Sequence, residues 1–237
     1  MTEYATELLN ARLKAVHDMA VSGLSGLQDR RLIDVGSDHG HLSIYSLIND
    51  GFSYAILTDI HDGPARRSEE AMRMYGFADK SSVYCTDGLD GVELQEGDVI
   101  VMAGLGGNNM IDILRRVVTV ADPAVLRSIV WCLQPQKSSD KLREFLAETG
   151  FAIIDENACE DRGIYYLIVK AVFTGEPYKL SLTEKFYGPV ILKREAASEP
   201  IVLKYVERLD GRFELSQRGD EEIRKMLTER RDDHEQN

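Results

Sequence analysis

Short apolar runs recur along residues 31–135, and each ends at a turn rich in Asp, Gly or Pro before a segment with helical spacing. Five predicted strands cover Arg31–Val35, Tyr54–Leu57, Ser82–Cys85, Asp98–Ala103 and Leu126–Leu133. The predicted helices that accompany them cover His41–Asn49, Pro64–Met74, Asn108–Val120 and Lys141–Thr149. Strands that alternate with helices of this length form βαβ units. The chain is therefore predicted to be an α/β protein built on a parallel sheet with helices on both faces.

The alternation stops after Gly150. Two strand-like runs, Phe151–Cys159 and Ile164–Phe173, are joined by a polar turn at residues 160–163 and predict a β-hairpin. A parallel sheet that finishes in an antiparallel hairpin is typical of a Rossmann-like class I methyltransferase domain, whereas a dinucleotide oxidoreductase continues with parallel units. We expect the first of these two folds.

The two ends of the chain are predicted to be helical. Apolar residues at helical spacing place one helix over residues 5–22, ahead of the first strand. A linker at Gly175–Pro177 leads to a segment whose apolar residues from Leu182 onward predict two or three helices. The predicted division is a catalytic domain at residues 1–175 and a small, coiled-coil-like α-helical domain at residues 176–237.

The net charge of −12 argues against indiscriminate binding to nucleic acid or to an anionic membrane. Residues 175–237 carry 12 Lys and Arg against 14 Asp and Glu, while residues 1–174 carry 16 against 26. A polyanion must therefore use a local basic face, for which the C-terminal segment is the better candidate. No apolar run approaches the roughly 20 residues of a membrane span, and the N-terminus lacks a secretory pattern, so we expect a cytoplasmic protein.

The cysteines and histidines form no metal-binding pattern. Cys85, Cys132 and Cys159 are widely spaced, and each lies in an apolar run, so we expect all three in the core. Tyr165 and Tyr166 lie within an apolar strand and are also expected to be core residues. We predict that the protein binds no metal.

The turn after the first strand reads Asp34-Val35-Gly36-Ser37-Asp38-His39-Gly40, or D-x-G-x-x-x-G. Gly36 lets the backbone approach a ligand closely, but Asp38 stands where the dinucleotide fingerprint has its middle glycine. A carboxylate there would repel a pyrophosphate. A ligand with adenosine and no phosphate would be tolerated, and S-adenosylmethionine is the common one. The glycine pattern alone fits an ordinary strand-to-helix turn about equally well.

Acidic residues also follow the second and third predicted strands. Asp59 lies 23 residues after Gly36, close to the interval of about 20 expected for an acid that binds a ribose. Asp87, next to Gly88, is suited to accept a hydrogen bond from an exocyclic amine. Each residue alone is typical of turns. Their joint occurrence at successive strand ends favours a ligand site, because the carboxyl ends of parallel strands meet at one edge of a sheet.

Six motifs together resemble one known family. They are Asp34–Gly40, Asp62-Gly63-Pro64, Asp87-Gly88-Leu89, Ala103-Gly104-Leu105-Gly106-Gly107, Leu133-Gln134-Pro135 and Tyr187-Gly188-Pro189. In this order, from about Arg12 to Tyr205, the chain resembles the bacterial tRNA (adenine22-N1)-methyltransferases. It differs at Leu105, where the family commonly has Met, and at Gln136, where it commonly has Asn.

The resemblance implies an S-adenosylmethionine-dependent enzyme whose C-terminal helical extension helps to hold tRNA, with position 22 as the target. The implied cofactor-binding residues are Asp34, Gly36, Ser37, Asp38, His39, Gly40, Asp59, Ile60, Asp87, Gly88, Ala103, Gly104 and Gly106. The implied substrate-binding residues are Gly107, Asn108, Gln134 and Pro135.

Methylation of adenine N1 has modest chemical requirements. N1 has a free lone pair, so attack on a sulfonium methyl needs alignment more than a strong base. Positive charge develops on the base, and a nearby carboxylate would stabilise it; Asp38 is the predicted catalytic residue. In a base pair N1 is occupied, so the target nucleotide must first be displaced.

Two other functions are compatible with the same residues. One is a methyltransferase of this fold that acts on another RNA or on a small molecule. The other is a non-catalytic S-adenosylmethionine-binding module whose helical tail recruits a partner. The complete set of strand-end residues counts against the second.

Overall fold

A computed structural model describes the backbone of residues 8–235 and the side chains of residues 8–231. Its centre is a seven-stranded sheet in the order β3-β2-β1-β4-β5-β7-β6. The strands are β1 Arg31–Val35, β2 Tyr54–Asp59, β3 Ser81–Cys85, β4 Val99–Leu105, β5 Val130–Pro135, β6 Phe151–Asp161 and β7 Ile164–Phe173. β7 is antiparallel to both β5 and β6, and the other neighbours are parallel. The predicted parallel sheet with a terminal hairpin is confirmed.

Helices cover both faces of this sheet. Those of the first part of the chain are α1 Ala11–Val21, α2 His41–Asn49, α3 Asp62–Met74, α4 Gly107–Val120, α5 Pro123–Ser128 and α6 Ser139–Glu148. The C-terminal segment forms α7 Leu182–Tyr187, α8 Pro189–Ala196, α9 Pro200–Ser216 and α10 Glu221–Glu235. The helix predicted at residues 5–22 corresponds to α1, and residues 5–7 of that prediction lie outside the described part.

β4 shows why the strand pattern is continuous rather than alternating. Ile100 and Met102 pack into one apolar cluster, while Val99 and Val101 pack into the cluster on the opposite face. A parallel strand covered by helices on both faces has no solvent side, so every position from Val99 to Met102 is apolar and fully buried.

Three predictions about these elements are wrong. Leu126–Ser128 belong to α5 and not to the fifth strand, because Pro123 begins a short helix whose first turn is capped by the Asp122 side chain. The C-terminal segment has four helices rather than two or three, since Pro189 and Pro200 each begin a new one. Cys85 is exposed and not in the core, because it ends the edge strand β3.

The C-terminal helices and the sheet share one apolar core. Phe186 of α7 and Phe213 of α9 belong to the same buried cluster as Trp131 of β5. A division at residue 175 follows the end of β7 and remains a prediction. Among residues 8–235, no helix is both long and apolar enough to cross a membrane.

A buried ion pair joins the sheet to the C-terminal helices. Arg143 of α6 and Glu156 of β6 are both fully buried, and Arg143 Nε donates to Glu156 Oε1 at 2.7 Å. The other Arg143 nitrogens donate to the backbone carbonyls of residues 185, 186 and 187 at the end of α7. Glu156 Oε2 accepts the backbone N–H of Val190 at 3.0 Å, in the first turn of α8. The pair therefore satisfies the free backbone groups on both sides of the α7–α8 junction.

We expect Arg143→Met to lower the free energy of unfolding by about 3–5 kcal/mol, because it leaves Glu156 as an unpaired buried charge. Arg143→Lys should lose less, since it keeps the charge but not the planar fork that reaches three carbonyls. Urea titration followed by circular dichroism measures both. Arg73→Met is the control, because Arg73 pairs with Glu69 on the exposed face of α3; an equal loss in the control would contradict the role of the pair.

Candidate active site

A cleft of about 520 Å³ lies at the carboxyl ends of β1, β2 and β4. β1 is flanked by β2 on one side and by β4 on the other, so the strand order reverses there. Ligands of open α/β sheets bind at such a reversal, where the crossover connections leave towards opposite faces and open a crevice. The cleft occupies the position that the strand-end residues predicted.

The turn between β1 and α2 forms one wall of the cleft. The backbone N–H groups of Gly36 and Ser37 both donate to the Thr58 carbonyl at the end of β2, at 2.8 and 3.1 Å. Asp38 and His39 follow with φ of 33° and 30°, in the left-handed region that side chains rarely occupy. Two consecutive strained residues of this kind are typical of a ligand-binding turn whose shape is fixed by its surroundings.

Gly36 is required at its position for two reasons. Its φ is 73°, and an added Cβ would lie 3.2 Å from Leu105 Cδ2. A side chain would therefore strain the backbone and would crowd the Leu105 side chain.

Asp34 is the buried carboxylate of the cleft. Only 4% of the residue is exposed, and its Oδ2 accepts one side-chain hydrogen bond, from Ser43 Oγ at 3.0 Å. Burial raises the pKa of Asp34 to about 6, and the hydrogen bond from Ser43 opposes this shift. At neutral pH the carboxylate is ionised, and its burial makes this charge unfavourable for the stability of the fold. A cation bound beside it would offset that unfavourable energy.

Asp38, by contrast, is mostly exposed to solvent. Its side chain is 65% accessible, and its Oδ1 lies 3.0 Å from Arg67 Nη2 of α3. The Nε2 atom of His39 is 3.7 Å from the same oxygen. The predicted catalytic carboxylate lines the cleft and is paired there with Arg67.

Asp59 and Ile60 follow β2 at the opposite wall. Asp59 Oδ1 accepts the backbone N–H of His61 at 2.9 Å, which fixes the carboxylate at the strand end. Ile60 is 57% exposed and lines the cleft beside Asp59. A carboxylate beside an exposed apolar side chain suits a ribose and the flat face of the base attached to it.

Asp87 and Gly88 close the third side. Arg116 of α4 lies 3.1 Å from Asp87 Oδ1 and also donates to the Asp87 carbonyl at 3.0 Å. The Gly88 carbonyl accepts the Thr58 hydroxyl at 2.7 Å, and a Cβ at Gly88 would collide with Ile113 at 2.5 Å. These contacts place the Asp87 carboxylate and the neighbouring backbone at the rim.

The floor is an irregular end of β4. The pairing of β4 with β5 shifts register between Ala103 and Leu105, and Gly104 lies in this bulge with φ of 83°. Gln134 of β5 is fully buried, and its Oε1 accepts the Gly104 N–H at 3.1 Å and Arg12 Nη1 at 2.6 Å. Gln134 therefore holds the bulge and fixes Arg12, a cation from α1, over the floor.

The structure brings together most of the predicted cofactor residues. Those that line the cleft are Asp34, Gly36, Ser37, Asp38, His39, Asp59, Ile60, Asp87, Gly88, Ala103 and Gly104. Gly40 and Gly106 do not line it; Gly40 is the buried N-cap of α2, and Gly106 precedes α4.

The predicted substrate residues lie beside the cleft rather than in its wall. Gly107 is buried against the backbone of Lys137 and Ser138, and Asn108 is exposed. Gln134 supports the floor, and Pro135 lines a neighbouring cavity.

Other residues line the cleft without having been predicted. They are Arg12, Leu13, Val35, His41, Leu42, Thr58, His61, Leu105, Asn109 and Ile113. Thr58, Leu105 and Asn109 are direct neighbours of predicted residues. Arg12 and Leu13 carry no sequence signal, because α1 reaches the floor through its packing across β4, β5, β6 and β7.

The cleft carries more negative than positive charge. Four aspartates and one arginine line it, together with three histidines. Burial and the neighbouring His39 lower the pKa of His41, while Asp38 opposes that shift. No group of three metal-binding side chains is found in the described part of the chain. The charge balance disfavours a pyrophosphate and favours a ligand that carries positive charge.

Comparison with known proteins gives one family model, described as a methyltransferase domain, that matches residues 9–169. The tRNA (adenine(22)-N(1))-methyltransferase of Bacillus subtilis is 29% identical over 163 residues. That alignment covers 69% of this chain and 64% of the Bacillus enzyme, so less than two thirds of that relative's length.

Solved structures share the whole fold. The structure of TrmK, the m1A22 tRNA methyltransferase of Bacillus subtilis, has a TM-score of 0.70 and 26% identity, and the match covers 96% of each chain. A candidate tRNA methyltransferase of Streptococcus pneumoniae in complex with S-adenosyl-L-methionine has a TM-score of 0.73 at 24% identity. That match covers 91% of this chain and 95% of the other.

The raised pKa of Asp34 predicts a pH-dependent stability. The ordinary carboxyl pKa is 3.8 and the folded value is about 6, so the folded state resists ionisation. The ionisation of Asp34 therefore lowers the free energy of unfolding. This loss is absent below about pH 4, grows between pH 4 and 6 and is complete above about pH 6. We expect Asp34→Asn to be more stable than the natural chain by at most about 3 kcal/mol at pH 7.5, with no difference near pH 4.

Urea titrations of the ligand-free proteins at several pH values measure this difference. Asp79→Asn, at an exposed carboxylate, should show no such pH dependence. A stability difference for Asp34→Asn that stays constant from pH 4 to 7.5 would contradict the raised pKa.

Proposed function

Because this chain belongs to the methyltransferase-domain family, we propose that it transfers the methyl group of S-adenosylmethionine to N1 of an adenine in tRNA. The single observation that carries this proposal is the cleft: four carboxylates, no phosphate-binding set and an exposed aliphatic side chain at the strand-order reversal. The Bacillus relative supports tRNA as substrate and position 22 as target.

The chemistry of the donor set fits S-adenosylmethionine. Asp59 is positioned to accept hydrogen bonds from ribose hydroxyls, Asp87 from the adenine amine, and Ile60 to cover the adenine face. Asp34 would face a cationic part of the cofactor, which offsets the cost of its buried charge. A phosphate-bearing cofactor would place its anion against Asp38.

When bound, the cofactor supplies a methyl group on a positively charged sulfur. The residues of the chain align the acceptor, since N1 of adenine attacks through its own lone pair and needs no deprotonation. The floor at Gly104 has no side chain of its own, but the Arg12 guanidinium lies over it, 3.5 Å from the position that a Cβ of residue 104 would take. As positive charge develops on the base, the Asp38 carboxylate is the candidate to stabilise it, and Arg67 is the cation that competes for the same carboxylate.

The proposal is tested by incubating the protein with methyl-labelled S-adenosylmethionine and unmodified tRNA, followed by nucleoside analysis. We expect 1-methyladenosine as the labelled product, and a tRNA with guanosine at position 22 should accept no label. Label in another nucleoside, or label in small molecules alone, would indicate a methyltransferase with a different acceptor.

Calorimetry separates cofactor binding from catalysis. Asp59→Ala should weaken S-adenosylmethionine binding by roughly 10-fold or more, in line with the loss of a charge-assisted hydrogen bond. Asp62→Ala, three residues further on and outside the cleft, is the matched control. The absence of binding by the natural chain would reject the proposed function and favour an inert module.

A carboxylate that stabilises the charged product base should affect kcat rather than binding. We expect Asp38→Asn to lower kcat on tRNA about 5-fold, which corresponds to about 1 kcal/mol, the energy of two unit charges about 4 Å apart in water. Arg67→Ala removes the competing partner and should leave kcat unchanged or raise it. Single-turnover rates at saturating cofactor measure both; an unchanged rate for Asp38→Asn would show that the electrostatic role is wrong.

A further inference from the structure

A second cavity, of about 440 Å³, lies between the start of β7, the loop after β5 and helix α9. Its walls include Tyr165, Tyr166, Gln136, Lys137 and Arg212, and we name it the tyrosine cavity. None of the residues that line it lines the cleft described above.

The two tyrosines are half-buried rather than fully buried as predicted, and Tyr165 packs against the edge of the main apolar cluster. The reason is the register of the sheet: β5 pairs only with residues 169–172 of β7. The first residues of β7 extend past the end of β5 and pair with β6 alone. The Tyr165 ring therefore lies against α9, beside Arg208, whereas the ring of Tyr166, the next residue of the strand, points to the opposite face, beside Arg12 of α1.

Each tyrosine ring is accompanied by an arginine. The Arg208 guanidinium carbon of α9 lies 5.4 Å from the Tyr165 ring centroid, and that of Arg12 lies 5.6 Å from the Tyr166 centroid. Guanidinium and phenol groups are the planar surfaces on which proteins stack unpaired RNA bases. Both distances lie within the range of an ordinary cation–π contact, so each arginine is held against its tyrosine.

The charges around the tyrosine cavity favour a base over a phosphate. Lys137 and Arg212 line the walls together with Asp140 and Asp220, and Arg208 lies beside the Tyr165 ring. Cations and carboxylates in similar number neutralise each other at long range but offer donors and acceptors at short range. The edges of a nucleobase carry both kinds of group, whereas a phosphate carries acceptors alone.

The tyrosine cavity is linked to the cleft through one side-chain oxygen. Gln134 Oε1 accepts Arg12 Nη1 on the cleft side and Gln136 Nε2 on the side of the tyrosine cavity, at 2.6 and 3.2 Å. Arg12 itself lines the cleft while its guanidinium lies over the Tyr166 ring. The tyrosine cavity and the cleft therefore lie on either side of the Gln134 side chain.

We propose that the tyrosine cavity binds a nucleobase adjacent to the methylated adenosine, with Tyr165 and Arg208 as the main stacking surface. This inference rests on the proposed function, because it takes an RNA as the substrate. It explains how a displaced target base is kept in place: the energy of stacking a second base offsets the loss of stacking within the RNA.

The test compares RNA binding and steady-state kinetics of Tyr165→Leu, Tyr165→Phe and Arg208→Ala with the natural chain. We expect Tyr165→Leu and Arg208→Ala to raise Kd and KM for tRNA about 5- to 100-fold, the usual range for loss of one base–aromatic stack. Tyr165→Phe keeps the ring and should stay within about 2-fold of the natural chain. S-adenosylmethionine affinity, measured by calorimetry, should be unchanged in all three and confirms that each variant is folded.

Salt dependence distinguishes a stacked base from a phosphate contact. Tyr165→Leu should weaken binding without changing the slope of log Kd against log salt, because no cation is removed. Tyr84→Leu, at an exposed tyrosine of β3 on the far edge of the sheet, is the matched control and should leave Kd unchanged. A tRNA with an abasic residue next to the target should lose affinity for the natural chain but not for Tyr165→Leu.

The outcomes separate this inference from the proposed function. If the natural chain methylates tRNA while Tyr165→Leu and Arg208→Ala bind tRNA as it does, the subsite is wrong and the function stands. If Arg208→Ala alone weakens binding and lowers the salt slope by about one, the cavity binds a phosphate and the stacking inference is overturned. If the natural chain neither binds nor methylates tRNA, the proposed function itself fails.

Discussion

The C-terminal helices depend on the buried Arg143–Glu156 pair. Removing both charges from water costs several kcal/mol per ion, and the pair offsets that cost only because its remaining donors and acceptors find backbone partners at the α7–α8 junction. The pair therefore acts as a geometric constraint more than as a source of stability. It sets the direction in which α8 and then α9 leave the sheet, and through α9 it sets where Arg208 and Arg212 lie.

At the cleft, the buried side chain of Gln134 connects several elements through hydrogen bonds, as the Arg143–Glu156 pair does at the α7–α8 junction. A buried amide has no net charge to desolvate, and its oxygen here collects the Gly104 N–H, Arg12 and Gln136. It fixes the bulge of β4 and the helix α1 at the same time. The neighbouring turn is held in a strained shape at Asp38 and His39, so the two walls of the cleft are set before any ligand arrives.

Most of the sheet and much of the cleft could be predicted because both follow from local patterns. A strand that is buried on both faces appears in the sequence as a short apolar run. The residues that follow each parallel strand lie at the same edge of the sheet, however the helices pack. The same run is ambiguous when a helix precedes the strand, which is why Leu126–Ser128 were predicted as β-structure. Arg12 could not be predicted, since its place depends on how α1 crosses the sheet. Tyr165 and Tyr166 were predicted as core residues because they lie in an apolar, strand-like run. The register of β7 places them beyond the end of β5, and hydrophobicity does not reveal that register.

The net charge of −12 limits the contribution that long-range electrostatic attraction can make to RNA binding. At distances beyond about 10 Å, the Debye length at 0.1 M salt, the protein as a whole repels a polyanion only weakly, and the encounter gains nothing from attraction. Affinity must then come from short-range contacts made after the two surfaces meet. Stacking on tyrosine and arginine is such a contact, because it draws on the flat faces of bases and is independent of the net charge. A cavity of aromatic and neutralised polar side chains is therefore a better solution for this chain than a basic groove.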